Sequence, residues 1–61
     1  MRIGDMVQHK VFSDMKGKIV NMCRNAPWPY AVKWNNEVKA EQFMGTYYKY
    51  PNPDLIKRLP L

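Results

Sequence analysis

Apolar and polar residues alternate over short stretches of this chain, and no long stretch has the spacing of an amphipathic helix. The clearest alternation places Tyr30, Val32 and Trp34 on one face of an extended segment. Ala31 and Lys33 lie on the other face. Five prolines and three glycines divide the rest of the chain into pieces too short for a helical bundle. The pattern therefore predicts a β-protein in which residues 30–34 form a central strand and Trp34 belongs to the core.

The turns and breaks in the pattern fit five strands. Asn35 and Asn36 predict a tight hairpin, because asparagine tolerates the positive φ values that such turns require. Pro53 and Asp54 predict a helical turn with an acidic residue near its N-terminus. The predicted strands are residues 6–12, 18–22, 30–34, 38–43 and 55–59. Five short strands with one helical turn before the last are the layout of an all-β, SH3-like small barrel, formed here by a single domain over residues 1–61.

Residues at the turns and core positions resemble those of SH3-like small barrels, KOW-like modules among them. The matching motifs are Gly4-Asp5-x-Val7, Gly17-x-Ile19-Val20, Tyr30-Ala31-Val32-x-Trp34 and Asp54-Leu55-Ile56. These motifs cover most of the chain, but they mark turns and core positions that many unrelated barrels share. The resemblance implies a closed barrel and no particular activity.

The framework is also similar to that of the plasmid-encoded type II dihydrofolate reductases, a resemblance that implies a tetramer with both substrates in a central pore. In the segment that carries the family's active site only Gln42 matches, and His9 stands where the family has a lysine. Met6 alternates with Val7 and is expected to point away from the core. Met6, His9 and Gln42 are therefore candidates for a pore or a subunit interface, while the reductase activity itself is not expected.

Positive charge is the first feature that indicates a partner. The chain has ten Lys or Arg residues and five Asp or Glu residues, which gives a formal net charge of +5 and an isoelectric point near 9.6. Such a field favours phosphate backbones or acidic protein surfaces. Solvated lysines that keep a small apolar domain soluble are the alternative. The basic candidates for partner contact are Lys10, Lys16, Lys18, Arg24, Lys33 and Lys49.

Aromatic residues in two predicted loops indicate how a partner is held. The candidates are Trp28, Tyr47, Tyr48 and Tyr50. Exposed rings stack on bases of single-stranded nucleic acid, and proline-flanked tyrosines equally suit a protein interface. The third interpretation is that these rings close the ends of the barrel, because a domain of this size has few other large side chains to do so.

Several kinds of chemistry are excluded by the residue counts. Cys23 is the only cysteine and His9 the only histidine, so an intrachain disulfide is impossible and a Cys/His zinc cluster lacks its ligands. Sixty-one residues are too few to enclose a substrate within one subunit. No apolar stretch approaches the roughly 20 residues that a membrane span requires. We expect a soluble, cytoplasmic protein that holds no metal and no cofactor.

The sequence therefore predicts a small binding module that is not an enzyme. Nucleic acid is the first expected partner, and docking onto an acidic protein within a larger complex is the alternative. An oligomeric enzyme of the type II reductase kind is the third hypothesis. Because a core of this size supplies only about 3–5 kcal/mol, aromatic packing and self-association are both expected to contribute to stability.

Overall fold

The computed structural model describes residues 1–60 and is mostly β, with one short α-helix. Its elements are β1 Met6–His9, β2 Lys16–Met22, β3 Tyr30–Trp34, α1 Glu37–Met44, a 3₁₀ turn Pro53–Leu55 and β4 Ile56–Arg58. The four strands form one antiparallel sheet with the spatial order β3-β2-β1-β4. Strands β3 and β4 are therefore the two edges of an open sheet.

One face of this sheet carries the core, and the helix contributes to it. Val7 of β1, Ile19 of β2 and Val32 of β3 point to the same side, because side chains alternate between the faces of a strand. The buried apolar residues are Val7, Met15, Ile19, Val32, Trp34, Ala40 and Ile56. Trp34 is 3% exposed, which confirms its predicted place in the core. Within residues 1–60 no element packs over the opposite face of the sheet.

Residues 38–43, predicted as the fourth strand, lie instead in the helix α1. The side-chain oxygen of Asn36 accepts a hydrogen bond from the backbone N–H of Lys39 at 3.0 Å, which is an N-cap contact. Gly45 ends the helix with a φ of 79°, and its N–H donates to the carbonyl of Glu41 at 2.8 Å. Asn36 therefore starts a helix and does not form the predicted hairpin turn.

Without that strand the sheet cannot close, so the prediction of a five-stranded closed barrel is wrong. Strands at the predicted positions 18–22 and 30–34 are present, the first of them extended to begin at Lys16. The predicted helical turn before the last strand is also present, as the 3₁₀ turn. Its cap is Asn52, whose side-chain oxygen accepts from the N–H of Asp54 at 2.9 Å.

His9 ends the first strand three residues earlier than predicted. Its Nδ1 atom accepts hydrogen bonds from the backbone N–H groups of Val11 and Phe12, at 3.1 and 3.2 Å. These contacts turn the chain away from the sheet directly after β1. The imidazole is buried at 3% exposure and packs beside the Phe12 and Trp34 rings. Since Nδ1 accepts, the folded state requires the neutral form of this histidine.

The free energy of unfolding is expected to fall as the pH drops below about 6.5, because burial lowers the pKa of the His9 imidazole below its usual value of 6.5. The unfolded chain then binds the proton more readily than the folded one, so stability is lost in acid, with a slope of at most about 1.4 kcal/mol per pH unit. Urea unfolding between pH 7 and about 5 measures this slope.

The control for this pH dependence is His9→Asn, since an asparagine oxygen can accept the same two N–H groups and does not titrate. We expect His9→Asn to be less stable than the wild type at pH 7 and to lose the histidine slope. A His9→Asn variant with the wild-type slope would show that another group causes the acid dependence.

Candidate functional site

The face of the sheet opposite the core carries a group of lysines. The strand register aligns Lys18 of β2 directly with Lys33 of β3, with Cβ atoms about 4.5–5.5 Å apart in such pairs. Lys16 and Lys57 flank Gln8 of β1 in the next row of the same face. We call Lys16, Lys18, Lys33 and Lys57 the lysine face. All four residues are exposed, so their ammonium groups project from a small area of the sheet.

The lysines of the lysine face form no ion pair within residues 1–60. Within the described residues none of the four strands contains Asp or Glu. The ion pairs formed by residues 1–60 join Lys39 to Asp14 and Arg58 to Asp5, so no lysine of the face takes part in one. The contact with the Lys39 ammonium lowers the pKa of the Asp14 carboxyl. Glu37 lines the depression beside Lys33 but forms no ion pair with it, so the lysine face keeps an excess of positive charge.

A second surface, on the helix side of the sheet, is lined by five aromatic rings, four of them exposed. This groove has a volume of about 280 Å³. We call Phe12, Trp28, Phe43, Tyr47 and Tyr50 the aromatic groove. Phe12 stacks on Phe43 with ring centroids 4.8 Å apart, which fixes one wall. Trp28, Tyr47 and Tyr50 are 46%, 71% and 52% exposed, so these three rings are accessible to a ligand.

The tyrosine loop between α1 and the 3₁₀ turn is tied to the sheet by its backbone. The carbonyl of Tyr48 accepts a hydrogen bond from Nε1 of Trp34 at 2.6 Å, and the carbonyl of Lys49 accepts from the N–H of Val32 at 2.8 Å. The Tyr48 hydroxyl donates to Glu37 at 3.0 Å, which raises the pKa of that phenol. Tyr48 is thus a structural residue, whereas its neighbours Tyr47 and Tyr50 project outward.

Tyr50 lies where the two surfaces meet. It lines the aromatic groove and also a shallow depression beside β3, together with Lys33 and Lys49. A third depression, of about 320 Å³, is lined by Tyr50 and Trp28 as well. Lys33 belongs to the lysine face, so that face and the aromatic groove are connected through Tyr50.

Other predicted site residues lie elsewhere. Lys10 follows β1 and Arg24 lies in the loop between β2 and β3, so neither belongs to the paired rows of the lysine face. Met6 is on the lysine face, whereas His9 is buried on the opposite side of the sheet and Gln42 is exposed on α1. The structure thus brings Lys16, Lys18 and Lys33 together, and it does not bring Met6, His9 and Gln42 together.

Sequence reasoning missed Lys57, Phe12 and Phe43. Lys57 joins the face only through the pairing of β4 with β1. The sequence pattern predicts a strand at Phe43, whereas its position beside Phe12 depends on the helix. The signal for the helix was present in residues 37–44, where Glu, Lys, Ala, Gln and Met are all strong helix formers.

No family model, curated protein or solved structure matches this chain. Within residues 1–60 no cluster of three or more His, Cys, Asp or Glu is arranged to hold a metal ion. In the same part of the chain no helix has the length and apolar character needed to cross a membrane. The candidate binding surfaces are the lysine face and the aromatic groove.

Proposed function

We propose that the protein binds nucleic acid through the lysine face, with the four ammonium groups contacting backbone phosphates. The observation that carries this proposal is that four lysines occupy two adjacent rows of one exposed sheet face and form no ion pair within residues 1–60. Lysine is a point charge with three donors and no acceptor, which suits contact with phosphate oxygens from several directions. Phosphate contacts supply most of the affinity of non-specific nucleic-acid binding.

The direct pairing of Lys18 with Lys33 supports an anionic partner. Like charges opposite each other in neighbouring strands destabilise a sheet. A bound phosphate between the two ammonium groups would remove this repulsion and gain two charge-assisted hydrogen bonds. The arrangement is therefore unfavourable for folding alone and favourable for binding a polyanion.

We expect Lys18→Gln combined with Lys33→Gln to weaken oligonucleotide binding and to reduce its salt dependence. Each phosphate neutralised on a single strand contributes about 0.7 to the slope of log K against log salt, so losing the one phosphate held between this lysine pair lowers the slope by about 0.7. Fluorescence anisotropy of a labelled oligonucleotide, titrated at several salt concentrations, gives both quantities. Melting temperature should stay the same or rise, since the variant also removes the repulsion between the two lysines.

The matched control is Arg2→Gln combined with Arg24→Gln. Both double variants remove two of the ten basic residues and change the formal net charge from +5 to +3. The control residues lie before β1 and in the loop between β2 and β3. Equal losses in the two double variants would contradict a site on the lysine face. Failure of the wild type to bind either DNA or RNA at low ionic strength would contradict nucleic-acid binding and favour docking onto an acidic protein.

A further inference from the structure

The two tryptophans of the chain have opposite environments. Trp34 is 3% exposed and its Nε1 atom is hydrogen-bonded, so it belongs to the core. Trp28 is 46% exposed and lies between two adjoining depressions, the aromatic groove and the one that also contains Cys23. An indole in this position adds little to the core and offers its surface to a ligand.

The aromatic groove suits a flat ring. Rings from four separate segments of the chain form its walls, and Met44, Pro51 and Leu55 add further apolar surface. Asn52 supplies a polar side chain, but its oxygen already accepts the N–H of Asp54. Apolar and aromatic walls of this kind hold planar groups by stacking and do not require a fixed set of hydrogen bonds.

The charged residues beside the aromatic groove indicate the chemistry of a ligand that would bind there. Tyr50 connects the groove to Lys33 and Lys49, and Lys33 is part of the lysine face. The Lys49 ammonium lies over the Tyr48 ring, 5.9 Å from its centroid. Glu37 also lines this depression, where its carboxylate accepts the Tyr48 hydroxyl. A ligand that reaches the groove from the lysine face therefore combines a negatively charged chain with aromatic side groups, as a nucleic acid does.

We propose that the nucleic acid is single-stranded and that its unstacked bases enter the aromatic groove, where they stack on Trp28 and Tyr50. This inference rests on the proposed function, because the phosphates on the lysine face deliver the strand to the groove. A duplex keeps its bases stacked and paired, so it cannot supply them without an unpairing penalty. Single-strand binding proteins in general combine a basic track with aromatic stacking platforms.

The test compares two single strands with equal numbers of phosphates. One is an oligothymidylate of about 12 nucleotides, and the other is an abasic strand of the same length. We expect the base-bearing strand to bind more tightly, by roughly 5- to 150-fold for each base that stacks in the groove. It should also quench the fluorescence of Trp28, while the abasic strand and a duplex of the same length bind without this quenching.

Two variants test whether Trp28 gives the fluorescence signal and whether the rings of the aromatic groove supply the affinity for bases. Trp28→Phe should lose the quenching, because the indole gives the signal, and it should lose less affinity than the double variant, because a smaller aromatic ring remains. Trp28→Leu combined with Tyr50→Leu should bind the base-bearing strand no better than the abasic one. Circular dichroism checks that both variants are folded, and Trp28→Phe keeps the test valid if the double variant is not.

The possible outcomes separate this inference from the proposed function. If the base-bearing and abasic strands bind equally with the same salt slope, the bases do not enter the groove and this inference is overturned, while phosphate binding stands. If the duplex binds as tightly as the single strand, single-strand preference is overturned. If none of the three binds at low salt, the proposed function fails as well and the groove serves another kind of partner.

Discussion

Trp34→Ala is expected to leave most of the protein unfolded at room temperature. The side chain is almost fully buried in the core and lies beside the His9 ring. Truncation of a buried tryptophan to alanine costs about 3–5 kcal/mol. A core in a domain of this size supplies about 3–5 kcal/mol in total. Because the two quantities are of equal size, little or no net stability remains, and the far-ultraviolet circular dichroism of the variant should show loss of the sheet.

Trp34→Phe tests the hydrogen bond of the indole separately. Phenylalanine keeps an aromatic ring but cannot donate to the Tyr48 carbonyl, which Trp34 contacts at 2.6 Å. A carbonyl left without its partner costs about 1–3 kcal/mol if it stays buried. We expect a folded variant with a lower midpoint of urea unfolding.

The matched control is Trp28→Phe, the same substitution at an exposed position. It should change the free energy of unfolding by less than about 0.5 kcal/mol, as exposed substitutions usually do. Equal midpoints for the two Trp→Phe variants would contradict a role for Trp34 in anchoring the tyrosine loop. If Trp34 does anchor that loop, its loss also displaces Tyr47 and Tyr50, so Trp34→Phe should weaken the binding of base-bearing strands more than that of abasic ones.

The strand pattern of the sequence was informative where side chains alternate clearly. Residues 30–34 alternate without a break, and the third strand of the sheet has these same bounds. The alternation also placed Trp34 on the buried side and Lys33 on the exposed side. An alternation with a period of two identifies the segment as a strand. It also shows which side chains point to the core, because successive side chains lie on opposite faces of the sheet.

The helix was not predicted because two interpretations of the same asparagines compete. Asn35-Asn36 fits a hairpin turn, and Asn36 equally fits an N-cap, as in the structure. Val38 and Phe43 are apolar, which favoured a strand, but both are exposed on the helix. Only Ala40 is buried there, so the helix has a narrow apolar stripe that a search for amphipathic spacing does not detect.

The two candidate surfaces differ in how far the sequence could predict them. Lys16, Lys18 and Lys33 were predicted, since they lie in or next to recognisable strands. Their assembly into adjacent rows with Lys57 depends on strand register, which short strands do not reveal without knowledge of their partners. The aromatic groove combines residues that are distant in sequence, so only the folded chain brings Phe12 against Phe43.

Gly17→Ala is expected to lower the free energy of unfolding by about 3 kcal/mol, the upper end of the range for overpacked sites. Gly17 is a buried residue of β2, paired with Val7 of β1 and Trp34 of β3. A Cβ atom there would lie 2.6 Å from Cγ1 of Val32 and 2.8 Å from the carbonyl oxygen of Lys33. The oxygen belongs to the backbone of the neighbouring strand, so β3 itself would have to move.

Gly4→Ala is the matched control, since the added methyl group meets no atom within 4 Å. Its expected cost is only that of the positive φ of 96°, about 1–2 kcal/mol. Urea unfolding followed by circular dichroism measures both variants. A Gly17→Ala midpoint equal to or above that of Gly4→Ala would contradict the close approach of β3 to β2.

The close approach of β3 to β2 at Gly17 also sets the distance between Lys18 and Lys33 on the lysine face. Lys16 and Lys18 are its direct neighbours in β2 and point to the opposite side of the sheet. If β3 moves away from β2 to accommodate a methyl group, Lys33 moves with it and the Lys18–Lys33 pair widens. A Gly17→Ala variant that remains folded should therefore lose affinity for both base-bearing and abasic strands, because the two ammonium groups no longer contact one phosphate together. A variant that is destabilised and yet binds both strands with wild-type affinity would show that the spacing of this lysine pair does not determine binding.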